Sequence, residues 1–385
     1  MKDISIYFKP TVILSSDCKG DLRNSALVYD DGGFPEIENK GVALIYVPEN
    51  RKSPYSSLEG NEDFRKQFYS FNRGDNWDFS IYDLGTIAPG ETVDDTYFAL
   101  SQVVSELVKR DVVPMVIGGS QDLLMACYKG FEHLERMINI CSVDSSLDVG
   151  SPDSEISSDA YVSHLLMQRP CFLFNYANIG MQRPLAQGKD IHLFENLYFD
   201  ICRLGTFNSD FRLAEPLLRN SDLISVDFNS IKNSETDPSK YSNVNGFKSD
   251  QICQIMKYAG MSDKMSCISI AEVHPDQSVS ASNLLGQMIW YFVDGLAQRV
   301  GDFPIENKTR YKKFHVHIDD FDDDLIFYKS HKSSRWWLEV SYPAAEGSKY
   351  ERHHLVPCNQ IDYDNALKNK IPNLWWKTLQ KLSHS

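Results

Sequence analysis

No apolar run in this sequence approaches the roughly 18 residues that a membrane-spanning helix needs, so membrane insertion is not expected. The opening Met1-Lys2-Asp3-Ile4-Ser5-Ile6 lacks an apolar stretch closed by small residues, and no signal peptide is read there. Basic charge is in short supply, with 39 Lys+Arg against 53 Asp+Glu and a formal net charge of −14. A surface that acidic repels phosphate backbones, which argues against nucleic acid as a partner. Cys-x-x-Cys spacing is absent from the eight scattered cysteines. Several sit in apolar runs such as Ile138-Asn139-Ile140-Cys141, which reads as reduced, buried thiols acting as small hydrophobes. Internal repeats and low-complexity segments are also lacking. These absences together lead to the expectation of a cytoplasmic protein.

What is present is ordinary globular composition over 385 residues, 42% hydrophobic and 24% charged. From residue 40 to 301 short apolar runs alternate with amphipathic stretches. Val42-Ala43-Leu44-Ile45-Tyr46-Val47, Val112 to Ile117, Met137 to Ile140, Cys171 to Phe174, Leu223 to Val226 and Ile268 to Ile270 are unbroken enough to be strands buried on both faces. Between them, residues 93–109 carry Val93, Phe98, Leu100, Val103, Val104, Leu107 and Val108 at helical spacing, and 248–259 and 281–299 repeat the pattern. This alternation predicts a three-layer α/β/α sandwich on a mainly parallel sheet.

Residues 1–39 are read as an N-terminal segment packed on that domain. Residues 302–385 are read as a C-terminal β-hairpin and a Trp-rich tail packed on it, entered through a linker at 302–312. Strand-like Phe314 to Ile318 and Leu325 to Tyr328 flank an acidic run, Asp319 to Asp324 interrupted by Phe321, which reads as a solvated turn. Trp336, Trp337, Trp375 and Trp376 need burial, and an aromatic core under the tail is expected.

Sites in open α/β sheets form at the carboxyl ends of strands. Four such ends carry polar residues: Gly118-Gly119-Ser120-Gln121-Asp122, Asp144-Ser145-Ser146-Leu147-Asp148, Asp227-Phe228-Asn229, and Glu272 in Ile270-Ala271-Glu272-Val273-His274. Carboxylates and amides converging there could form a hard-cation oxygen site. They could equally cap the helices that follow or satisfy loop amides.

The order and spacing of these segments resemble the arginase/ureohydrolase superfamily, whose pattern runs Gly-Gly-Asp-His-Ser, Asp-Ala-His-x-Asp, Ser-x-Asp-x-Asp-x-x-Asp-Pro. Phe174 to Gly180, Met288-Ile289-Trp290-Tyr291-Phe292, Phe327 to Ser330 and Arg335-Trp336-Trp337 are similar to the formimidoylglutamase group, especially its divergent Bacteroidetes members. The resemblance implies a dinuclear Mn²⁺ centre that activates water for attack on an amidine carbon. It places Asp144, Asp148 and Asp227 at retained metal-ligand positions, and Gln121, Ser146 and Asn229 at positions where His, His and Asp ligands belong. Gly118, Gly119, Asn178 and Glu272 fall at substrate-pocket positions. Glu272 and His164 are candidate catalytic groups, and no residue is assigned that role outright.

Neutral amide and hydroxyl oxygens replace imidazole and carboxylate poorly for a transition metal. The expected cofactor is therefore none, or one weakly held Mn²⁺, Mg²⁺ or Ca²⁺. The resulting expectation is a catalytically silent relative with a binding, scaffold or regulatory role. The alternative is an active formimidoylglutamase- or agmatinase-type hydrolase of a linear amidine on a reduced or single-metal site. A homo-oligomer or protein partner is open, and no small-molecule ligand is identified. His315 and His317 share a strand face without an evident third metal ligand, and His353-His354 reads as a solvated turn.

Overall fold

The computed structural model describes residues 3–11, 21–38, 40–53, 63–274, 276, 278–304, 308–319, 321, 323–341 and 350–383. Cys18, Pro275 and the acids at 320 and 322 lie outside the described residues. The apolar runs become strands β1 (Phe8–Lys9), β2 (Leu27–Val28), β3 (Gly41–Tyr46), β4 (Ser80–Ile87), β5 (Val112–Ile117), β6 (Ile138–Val143), β7 (Leu173–Ile179), β8 (Asp200–Cys202), β9 (Leu223–Asp227) and β10 (Cys267–Ala271). They form one sheet in the order β1-β4-β3-β5-β10-β9-β6-β7-β8, with β2 also on β4. Every pairing is parallel except that of β1 with β4.

Strand β3 shows why these runs are continuously apolar. Val42, Leu44 and Tyr46 enter one core, and Ala43, Ile45 and Val47 enter the other. Helices Asp63–Phe68, Ser249–Gly260 and Val279–Ala297 cover the first face through Phe64, Ile252 and Leu285. Helices Val93–Lys109 and Leu124–Lys129 cover the second through Leu100 and Leu124. The result is the three-layer sandwich that the alternation predicts. Thr92 starts helix Val93–Lys109: its hydroxyl accepts the Asp95 N–H at 3.2 Å, and the Asp95 carboxylate accepts the Thr92 N–H at 2.8 Å. Phe98, counted in that helix's apolar stripe, is exposed instead. The side facing the sheet carries Leu100, Val103, Val104 and Leu107, and position 98 falls on the opposite side of the turn.

After Gly301 the expected hairpin is part of a larger antiparallel sheet of β11 (Tyr311–Val316), β12 (Leu325–Ser330), β13 (Trp336–Glu339) and β14 (Leu355–Cys358), in that order. Helices Gln360–Ala366 and Asn373–Ser383 follow. Strand β11 begins inside the stretch read as linker. In that stretch Asp302 is buried, accepts the Tyr311 hydroxyl at 2.7 Å, and donates its N–H to Asp263 at 2.9 Å. Trp336, Leu338 and Trp375 share a core with Met137 and Phe174 of the α/β part. Arg219 ties the two parts together, its guanidinium 4.6 Å from the Trp337 ring centroid and donating to the carbonyls of Trp336 and Cys358. Trp376 stays half exposed, stacked on Trp375.

His353 corrects the expectation of a solvated turn. It is 3% exposed, its ring centroid lies 4.1 Å from that of Phe174, and its Nε2 is 3.1 Å from the Met137 carbonyl. The turn closed by its N–H on Tyr350 O leads straight into β14, which carries the imidazole into the seam. His315, on the exposed side of β11, and His317, just past its end, both face Asp324, at 3.6 and 3.4 Å. The seven described cysteines are free thiols. Among the described residues no helix is long and apolar enough to cross a membrane.

Candidate functional site

Strands β5, β10, β9 and β6 are consecutive in the sheet, and all four end on one edge. Their order is what gathers motifs that are far apart in sequence. At the end of β5 the chain turns through Gly118 and Gly119, both at positive φ, +84° and +74°. A Cβ on Gly119 would lie 2.6 Å from the Val47 carbonyl oxygen, so only glycine fits there. The turn is fixed to β10 on both sides: Gly118 N–H donates to Ile270 O, and Glu272 N–H donates to Gly119 O. Gln121 and Glu272 are thereby set beside one another.

The Glu272 carboxylate accepts the Gln121 N–H at 3.0 Å and the Ser53 hydroxyl at 2.8 Å. The Gln121 side-chain Nε2 donates to Asp144 Oδ2 at 2.8 Å and to the Tyr161 hydroxyl at 3.1 Å. Asp144 Oδ1 accepts the Ser146 N–H at 2.9 Å, and the Ser146 hydroxyl donates to Asp148. At the end of β9, Asp227 Oδ1 accepts the Asn229 N–H at 2.8 Å. Tyr161 and Tyr176 join hydroxyls at 2.9 Å beneath this cluster.

Crowding sets the electrostatics. Burial, then the adjacent Asp144 carboxylate, pushes Asp148 well above the usual carboxylate range. Burial, then Asp144 and Glu272, does the same to Asp227. Burial raises Glu272 to about 7 against the opposing effect of its bonds from Ser53 and Gln121. Two of these residues also sit on backbone that L-amino acids rarely adopt, Asp148 at φ +44° and Glu272 at φ +54°.

The cluster opens into a cavity of about 360 Å³ lined by Gln121, Ser146, Asp148, Asp227, Asn229 and Glu272, with Lys52, Ser158 and Asp159 also on its wall. Lys52 is paired with Glu155 at 3.1 Å. Asp144 lies behind this lining, 1% exposed. Gly118 and Gly119 shape the turn and are not among the lining residues. Asn178 is buried behind the loop it braces, donating to Ser146 O at 2.7 Å and accepting the Met181 N–H at 3.0 Å. His164 lies on helix Val162–Leu166, away from the lining, and its Nε2 is buried with no partner among the described residues. Ser53, Tyr161, Lys52, Ser158 and Asp159 belong to no segment singled out in the sequence, and Tyr176 enters only as part of the Phe174 to Gly180 stretch. Ser53 reaches Glu272 across 219 positions, and no local pattern announces such a contact.

Among the described residues no group of three or more His, Cys, Asp or Glu is arranged to hold a metal ion. The Gln121 amide donates to Asp144 and the Ser146 hydroxyl to Asp148, and the Asp144 carboxyl is itself in direct side-chain contact with those of Asp148 and Asp227.

A parallel sheet flanked by helices, with its polar cluster at the carboxyl ends of four neighbouring strands, defines an α/β protein of the strand-end site class. The Arginase family model matches residues 45–293, and the chain belongs to that family. Its fold is similar to that of Trypanosoma cruzi formiminoglutamase with Mn²⁺₂, at TM-score 0.60 and 18% identity over 67% of this chain and 94% of that one. The formimidoylglutamase from Bacillus subtilis gives TM-score 0.61 and 16% identity, over 75% of this chain and 95% of that one. An arginase from Medicago truncatula gives TM-score 0.54 and 14% identity, over 66% and 86%. No curated protein matches the sequence.

Proposed function

We propose that this arginase-family chain is a catalytically silent relative, a binding, scaffold or regulatory module built on a degraded dinuclear metal site. The Gln121 amide carries the reading. It stands where the family resemblance implies a histidine ligand, and its Nε2–H is directed at Asp144 Oδ2 from 2.8 Å. An amide nitrogen has no lone pair to offer a metal, and its hydrogen occupies an acceptor site that a bridging carboxylate would offer an ion. Ser146 and Asn229 add a hydroxyl and an amide where imidazole and carboxylate would be needed. The donor set therefore does not fit a pair of Mn²⁺ ions, and two-metal activation of water has no support in these residues. The cavity keeps polar walls, a volume suited to a small molecule, and acids to recognise one.

One observation favours a second reading, hydrolysis of a linear amidine on a reduced or single-metal site. Glu272 lines the cavity, is oriented by two hydrogen bonds, and has a proton affinity near neutrality. Elemental analysis of the full chain after dialysis against manganese separates the two. No stoichiometric manganese is expected; two ions per chain would overturn the silent reading, whereas a single weak Mg²⁺ or Ca²⁺ would not. Hydrolysis of formimidoylglutamate or arginine by the wild-type chain, lost in Asp144→Ala, would overturn it as well.

A further inference from the structure

Strands β10, β9 and β6 gather side chains at their amino ends as well as at their carboxyl ends. Lys264, Asp222 and Arg136 each stand shortly before one of these three neighbouring strands. Arg352, shortly before β14 of the C-terminal sheet, donates to Asp222 Oδ1 at 2.9 Å and closes the group from the other side of the junction. None of the four lines the strand-end cavity, and Arg352 lies beyond residue 293, where the family match ends.

Three cations here meet one carboxylate. Asp222 is fully buried and accepts the Asn139 N–H at 2.9 Å besides the bond from Arg352. Lys264 is 4% exposed, its ammonium 3.7 Å from Asp222 and donating to Asn220 Oδ1 at 3.2 Å. Arg136 has no such anchor. It forms no hydrogen bond or ion pair among the described residues, and its Nε is buried without a partner. A buried donor in that state is costly, and a ligand oxygen would relieve it.

The cations act on one another. Burial, then Arg352, lowers Arg136 from the ordinary arginine range, and Asp222 opposes this. Burial lowers Lys264 to about 8, with Asp222 resisting and Arg352 and Arg136 adding to the fall. Lys264 therefore stays mostly protonated at neutral pH. The acids adjoining these residues in the chain do not restore the balance. Asp263 accepts the Gly301 and Asp302 amides at 3.0 and 2.9 Å and faces Arg335 at 3.9 Å. Glu135 and Glu351 are exposed and make no ion pair among the described residues. Two positive charges are left over, and one of them is a guanidinium fork with nothing to hold.

We propose that this group binds a dianionic phosphate, free or carried as a monoester, with the Arg136 fork taking two of its oxygens and Arg352 and Lys264 supplying further charge. A guanidinium matches phosphate oxygens in pairs, and lysine adds a point charge. Arg136 and Arg352 are only half-buried, so solvent reaches them. A monocarboxylate would neutralise one of the two surplus charges, which favours the dianion. Such a ligand would also join the α/β part, through Arg136 and Lys264, to the C-terminal part through Arg352.

Titration calorimetry of the full chain at low ionic strength, with inorganic phosphate, glycerol 3-phosphate and acetate, tests the assignment. Saturable phosphate binding is expected, with acetate at least about tenfold weaker. Glycerol 3-phosphate bound as tightly as phosphate would assign the site to a monoester, and bound about tenfold more weakly would assign it to the free ion. Arg136→Gln breaks no bond within the chain and should weaken phosphate by about tenfold or more, the worth of a charge-assisted hydrogen bond. Arg136→Glu sets a carboxylate among the cations and should abolish binding. No saturable phosphate binding, acetate bound as tightly as phosphate, or phosphate affinity unchanged in Arg136→Gln or in Arg136→Glu would overturn the proposal.

Discussion

Gln121 holds the chemistry of the strand-end site in a single amide. If, as proposed, Gln121, Ser146 and Asn229 stand where metal ligands have been lost, the triple change Gln121→His, Ser146→His and Asn229→Asp should restore tight binding of two manganese ions, read by elemental analysis. Turnover need not follow, because an orientation error of about an ångström costs on the order of 100-fold in rate. Glu272 makes a separate prediction. Unfolded, it ionises near 4.5; folded, near 7. Its contribution to stability is fully present below pH 4.5 and is lost as pH rises through 7, because the unfolded chain ionises first. A shift of this size corresponds to as much as about 3 kcal/mol. Glu272→Gln should therefore flatten the fall in unfolding free energy between pH 5 and 8, measured by denaturant titration. Asp148 and Asp227, raised in the same direction, leave a residual slope.

The elements that position the site were legible in the sequence because their signals are local. The helices expected at 93–109, 248–259 and 281–299 are Val93–Lys109, Ser249–Gly260 and Val279–Ala297, since a 3.6-residue repeat is written within each segment. The strand-end motifs were legible for the same reason. What pairs with them was not: Ser53 on Glu272, Tyr161 on Gln121 and Met137 on His353 join segments that only the sheet order brings together. His353 was misread because a His-His pair in a polar stretch looks solvated until the seam it enters is known. The turn after β5 is the element most exposed to a small change. Gly119→Ala sets a Cβ against Val47 O and Leu123 on backbone that disfavours it, and should cost at least about 2 kcal/mol, read as a lowered denaturation midpoint.

Over the whole molecule, the C-terminal sheet shares buried contacts with the α/β part. Met137 and Phe174 are buried against it, and Arg219 gives two hydrogen bonds and a ring stack to its strands. A chain ending at Pro304 would lose all of these contacts and expose a broad apolar face. It should aggregate on expression, as measured by light scattering of the purified fraction. A soluble truncated chain with an unchanged melting temperature would show that the tail is an appendage.

Glu272 has one further consequence, which follows from its backbone alone. At φ +54° it occupies a conformation that costs a non-glycine residue roughly 1–2 kcal/mol, and Asp148 shares the region. Glycine at either position would shed both the strain and a buried acid, so a pocket drifting without use has an open route to a more stable protein. This chain has not taken it. Two carboxyl side chains stand where the backbone least favours them, and both lie on the wall of the strand-end cavity.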